Sequence, residues 1–248
     1  MAAPRPFRFS VQAFQAESRA EWTDTARRAE GLGYSTLFTT DHYFGPGAIA
    51  EQSGHRPVDV APIVASMAAA AVTTTLRVGC RVFCVDYHHP VVLAKELATL
   101  DLLSDGRLEV GLGAGWVAAE YEGLGIEMDR PGIRIERLRE VAGLLKEHWS
   151  GRDLDIHGTH VRASGFAGRP LPAQQPHPPV LIGGGSPKVL RLAGAVADIV
   201  SINFDNGAGK LGSASVATSG SEATQQKVEW IREGAGARFD SLELEIGA

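Results

Sequence analysis

Apolar and polar positions along this 248-residue chain switch repeatedly between a period of two and a period near 3.6. The first alternating run, residues 7–13, predicts a strand. Ser18 and Glu21 then form a capping box ahead of a stripe of Trp22, Ala26, Ala29 and Leu32, and Gly31-Leu32-Gly33 ends that helix. Residues 34–39 predict a second strand with a polar end, Thr40-Asp41-His42, followed by a loop over 43–58. Asp59 caps an alanine-rich helix running to Val72, and residues 76–83 predict a third strand. His89-Pro90 opens the next helix, with Leu93, Leu97 and Leu100 on one face. After the turn Ser104-Asp105-Gly106, Leu108, Val110 and Leu112 alternate as a fourth strand. A long helix follows over 131–149, then strands at 179–182, 198–203 and 242–246, with helices beginning at Ser186-Pro187 and spanning 221–232.

Strands alternating with helices in this way predict a parallel α/β protein, and a TIM-type (β/α)8 barrel above an open sheet. The whole chain, 1–248, is expected to form one domain. An excursion of short strands and loop occupies about 150–178, and a Gly/Ser/Ala-rich stretch over about 205–220 is expected to be flexible. Seven strands leave the barrel short of its last strand–helix unit. The expectation is that about 40 further residues, one such unit, are missing at the C-terminal end, or that a partner subunit, in a homodimer, covers the gap.

Composition narrows the function classes. Hydrophobic residues make up 44% and charged residues 21%, and the formal net charge of -5 gives no support for nucleic-acid binding. No apolar run reaches the roughly 20 residues of a membrane span, and the opening MAAPRPFRFSV lacks the apolar core of a signal peptide. Cys80 and Cys84, four residues apart on a strand, are about 13 Å apart and read as free thiols in a reducing cytoplasm. Cys84, near a strand end, is a candidate thiol, although a small buried side chain is the commoner outcome.

Candidate chemistry concentrates at strand ends. Gly111, Gly113 and Gly115 leave backbone bare where a flat ligand can lie, and Trp116 can stack on it. Gly183-Gly184-Gly185-Ser186 before a helix offers free N–H groups and a positive dipole end to a phosphate, with Lys188 adding charge. Neither the Walker pattern nor the dinucleotide fingerprint is present. Asp41 and His42 end a strand, where barrels place catalytic side chains, and His42 can move a proton near neutral pH. Glu120 is a second acid–base candidate. His89 fits an N-cap, and His157 with His160 lacks a third ligand in register, so no metal is expected.

Several segments together resemble the bacterial luciferase-like monooxygenase superfamily, within it the deazaflavin-dependent oxidoreductases. They are TTDH at 39–42, VTTTLRVG at 72–79, HHPVVLAKELATLDLLSDGRLEVGLGAGW at 88–116 and PPVLIGGGSPKVLRLAGAVADIVSIN at 178–203. The resemblance implies a barrel holding coenzyme F420, or alternatively FMN, at its C-terminal mouth. Asp41 and His42 would flank the ring, Phe83 and Cys84 would meet it at a strand-three bulge, and Gly113 to Trp116 would line its other side. Gly183, Gly184, Gly185 and Ser186 would hold the phosphate. Bulky Phe83 and Cys84 depart from the smaller residues usual there. The implied activity is hydride transfer between F420 and a small organic substrate, with His42 and then Glu120 as proton carriers. The alternatives are an FMN-dependent monooxygenase and a non-catalytic flavin- or F420-binding protein.

Overall fold

The structure, a computed structural model, describes residues 6–247. Residues 1–5, part of the opening read for a signal segment, and Ala248 lie outside it. The chain begins with β1 (Ser10–Gln12), α1 (Arg19–Gly31), β2 (Thr36–Thr39), α2 (Ala48–Ser53), α3 (Pro62–Ala70), β3 (Arg77–Cys84), α4 (Pro90–Leu103) and β4 (Leu108–Gly113). It continues with α5 (Ala118–Leu124), α6 (Pro131–Trp149), the hairpin β5 (Asp153–His157) and β6 (Arg162–Ala167), β7 (Val180–Gly184) and α7 (Pro187–Val196). The last elements are β8 (Ile199–Ile202), α8 (Ser213–Val216), α9 (Ser221–Ala235) and β9 (Glu243–Ile246).

Seven strands form one curled parallel sheet in the order β1-β2-β3-β4-β7-β8-β9. This is the TIM-type plan with seven strands in place, and β1 and β9 are its edges. Arg8, just before β1, spans the two edges from inside, donating to Glu243 at 2.6 Å and to buried Glu109 of β4 at 2.7 Å. Above this polar layer Phe38, Val82, Leu181 and Ile199 form an apolar layer inside the curl. A second polar layer follows, in which Arg81 donates to Glu245, Ser201 and Asn203. Outward-facing Leu108, Val110 and Leu112 are fully covered by helices, which is why the strand alternates so legibly.

Local chemistry explains most boundaries. Ser18 Oγ accepts from Glu21 N at 3.2 Å, and Glu21 reaches back to Glu17 N at 2.8 Å, one residue earlier than a standard capping box. Pro62, Pro90, Pro131 and Pro187 each open a helix at a position whose N–H would be free. Two expectations are corrected. Asp59 caps nothing: Ala61 is the N-cap of α3, because Pro62 fixes the helical φ there, and the helix stops at Ala70. The 43–58 loop contains α2, and the chain after Trp116 contains α5, both too short for a helical period to show. Within the 205–220 stretch lie α8 and a 3-10 turn over 217–219. The excursion at 150–178 is a hairpin, pinned where Glu140 accepts the N–H groups of Thr159, His160 and Val161.

Candidate active site

A cavity of about 600 Å³ opens at the C-terminal ends of the sheet strands. Its wall includes Asp41, His42, Cys84, Gly113, Gly115, Trp116 and all four of Gly183 to Ser186, so most of the sequence-predicted residues come together; Gly111 and Lys188 do not line it, and two further residues take other places. Phe83 is the first. Its side chain points to the covered face of β3 against His88, at 5.6 Å between ring centroids, and Val82 takes the cavity position. The bulge that re-aims β3 lies between Cys80 and Phe83, and of the expected pair Cys84 lines the cavity while Phe83 does not.

Glu120 is the second such residue. It is buried behind His42 instead of facing the cavity. Its Oε2 lies 2.6 Å from His42 Nδ1 and accepts from Tyr87 OH at 3.2 Å, while its Oε1 accepts from Tyr43 N at 2.6 Å. A carboxylate can only accept, so His42 must present Nδ1–H to it. In the neutral imidazole Nε2 is then an acceptor. Glu120 is therefore a positioning residue, and His42 is the group with access to a ligand. Asp41 plays a similar supporting part: its Oδ2 accepts from Cys84 N at 2.8 Å and His88 Nε2 at 2.9 Å, tying the ends of β2 and β3 together. His88 thus has a role that its position before a helix did not reveal.

The glycines serve a different purpose from the one the sequence suggests. A Cβ on Gly113 would lie 2.5 Å from Val82 Cγ2, and one on Gly115, at φ +72°, 2.0 Å from the Tyr121 hydroxyl. Their bareness admits neighbouring protein atoms, and through that close packing sets the cavity wall. Cys84 contacts Tyr121 OH at 3.3 Å, and burial pushes its thiol up to about 12, away from the reactive thiolate.

At the other end, α7 begins against the cavity. Its first internal bond is Leu190 N to Ser186 O, so the preceding N–H groups of Lys188 and Val189 have no intrahelical partner, and Ser186 makes no side-chain cap bond. Lys188 turns away to Glu136 at 3.5 Å and does not add charge here as expected. Arg81, paired with Glu245, lines the cavity, and so do two further cations. Buried Arg134 donates to the carbonyls of Ala114 and Gly115, and buried Lys227 to those of Asn203 and Thr218. His55 also lines it, with its ring 4.7 Å from that of His42. Sequence reasoning missed Arg81, Arg134, Lys227 and His55. Lys227 had a signal, since it sits on the stripe Lys227, Ile231, Ala235 that α9 buries.

Three cavity-lining residues, Thr40, Asp41 and Asn206, keep a buried side-chain oxygen with no protein partner. With the N-terminus of α7 and the two cations, this donor and acceptor set fits a polar-edged ring carrying a phosphate. Among the described residues no group of three His, Cys, Asp or Glu side chains could hold a metal, and no helix is long and apolar enough to cross a membrane. His157 and His160 take separate partners, Asp155 and Glu136.

Parallel barrels build their active sites at this end of the sheet, and the cavity follows that rule for barrel enzymes. A profile of the luciferase-like monooxygenase family matches residues 5–239, and the chain belongs to that family. It is 30% identical over 196 residues to an F420-dependent glucose-6-phosphate dehydrogenase of Nakamurella multipartita, covering 79% of this chain and 56% of the relative. It is 28% identical over 159 residues to an FMNH(2)-dependent dimethylsulfone monooxygenase of Pseudomonas putida, covering 64% and 40%. The coenzyme F420 dependent tetrahydromethanopterin reductase of Methanopyrus kandleri superposes with a TM-score of 0.78 at 20% identity, over 96% of this chain and 65% of that one. The chain spans about half the length of the curated relatives it matches. The family contains oxidoreductases that use F420 and monooxygenases that use FMN.

Proposed function

We propose that this chain forms the cofactor site of an F420-dependent oxidoreductase that moves a hydride between the coenzyme and a small organic substrate. The observation that carries this reading is His42 on the cavity wall, anchored through Nδ1 by buried Glu120 at 2.6 Å. Hydride transfer to or from a carbonyl or alcohol carbon needs a proton carrier at the neighbouring oxygen, and His42 Nε2 is free to be that carrier. When bound, the deazaflavin would supply a nicotinamide-like two-electron carrier that reacts poorly with oxygen. Gly185, Ser186 and the start of α7 would hold its phosphate. Trp116, edge-on to His42 at 5.7 Å, would close the ring site against water. Asp41 acts indirectly, by fixing the β2 and β3 ends between which the ring would lie.

Similarity to F420-dependent glucose-6-phosphate dehydrogenases supports the choice of coenzyme. Similarity to an FMNH(2)-dependent monooxygenase supports the second reading, FMN and oxygen chemistry. Titrating the purified protein with F420 and with FMN, followed by ring fluorescence, separates them. F420 is expected to bind at least about tenfold more tightly, a difference of roughly 1.4 kcal/mol. Tighter FMN binding would replace the reading with the second one, and binding of neither would remove both. Bound F420 with no hydride transfer to any carbonyl compound tested would leave a carrier protein instead of an enzyme.

A further inference from the structure

Lys227 is a buried cation that the proposed chemistry does not use. It is 3% exposed, and two of its three ammonium protons go to main-chain carbonyls, Asn203 O and Thr218 O, both at 2.7 Å. Among the described residues no carboxylate lies within ion-pair distance of it. Asp205, an acid whose charge acts on it, instead accepts from Gly207 N through its own Oδ1 at 3.0 Å. Burial of a cation against neutral dipoles is costly, and an anion beside it offsets that cost. Lys227 lies on the wall of the same cavity as Ser186 and Asn206, whose Oδ1 is the orphaned acceptor noted above.

We infer that Lys227 is the charge partner of the ligand's phosphate, and that it makes this end of the cavity selective for a phosphorylated ligand over the same ring without phosphate. The inference rests on the proposed cofactor reading and deepens it. The N-terminus of α7 supplies dipoles and N–H groups, which also suit neutral acceptors. Lys227 supplies the full charge that discriminates. Removing it should therefore act on phosphorylated ligands alone. A purely structural clamp between β8 and the turn before α9 would act on all ligands equally.

The test compares wild type with Lys227→Met, measuring Kd for FMN against riboflavin and for F420 against its phosphate-free chromophore. Wild type is expected to favour the phosphorylated member of each pair it binds by about tenfold or more, and Lys227→Met to lose most of that preference with the phosphate-free affinity unchanged. A variant that keeps the preference, or a wild type without one, overturns the inference and leaves the hydride-transfer reading standing. If wild type binds neither ring, thermal stabilisation by inorganic phosphate decides. Stabilisation of wild type that the variant lacks upholds the anion site while the cofactor reading fails, and equal response in both overturns the site too. Should Lys227→Met not fold, Lys227→Gln, which can still donate to one carbonyl, serves in the same comparisons.

Discussion

Replacing Glu120 by Gln should reverse the hydrogen-bonding polarity of His42. The side chain is 2% exposed and is held on two sides. Tyr43 N is a backbone donor with no alternative role, and it needs an oxygen at the Oε1 position, 2.6 Å away. That requirement fixes the glutamine amide with its NH2 toward His42 Nδ1 and Tyr87 OH. Nδ1 must then accept, and the neutral imidazole carries its proton on Nε2, facing the cavity as a donor. The lost charge-assisted bond to Nδ1 is worth about 1.5–3 kcal/mol, partly offset because a buried carboxylate is also removed. A net destabilisation of about 1–2 kcal/mol is expected by urea unfolding with an unchanged slope. Long-range 1H–15N correlation spectra of the histidine rings report the tautomer directly. A neutral His42 with its proton on Nδ1 in both proteins would refute the argument, as would a wild type whose neutral His42 already carries its proton on Nε2. Once a substrate is in hand, the same variant should lose about 10²-fold in turnover with little change in cofactor Kd.

His42→Ala should lower hydride-transfer turnover by about 10²-fold or more, whereas a loss confined to binding would make its role positional. Gly115→Ala should cost at least about 1–3 kcal/mol by urea unfolding, because φ is +72° and the new Cβ would meet the Tyr121 hydroxyl; an unperturbed midpoint would refute this. Glu30, which accepts the N–H groups of Thr74, Thr75 and Leu76, is lowered to about 2 from 4.5, chiefly by these bonds. Its folded value lies below its unfolded one, so its contribution is present above pH 4.5 and lost as pH falls toward 2. Glu30→Gln should therefore cost about 1 kcal/mol at pH 7, after discounting for solvent, and less at pH 3; an equal loss at both would contradict the linkage. Native Cys84 should resist alkylation at pH 8, since burial raises its thiol to about 12, and fast labelling of the folded protein would contradict that.

Much of the fold was legible from local chemistry. The outward faces of β4 and β7 are apolar because helices cover them, and the prolines and Ser18 mark helix starts by backbone needs that act within a few residues. The seven-strand count and the cluster of Asp41, His42, Gly113 to Trp116 and Gly183 to Ser186 at one end follow from the same alternation, since every parallel strand ends on one side. The short helices α2, α5 and α8 escaped because fewer than two full turns carry little periodic signal.

Tertiary structure alone decided what each site residue does. Glu120 lies 78 positions from His42, and only the meeting of α5 with the end of β2 makes it an anchor instead of an acid facing the ligand. The bulge in β3 turned Val82 to the cavity and Phe83 to the core, a one-residue exchange that no composition or period encodes. Lys227 and Arg134 reach the cavity from α9 and α6 because packing buried the faces that carry them, and sequence marks such residues only as cations on helices. Short-range backbone preferences thus set the elements and the end of the sheet where the site forms. Partners distant in sequence set the direction of each side chain, because burial and hydrogen-bond satisfaction are properties of the assembled interior.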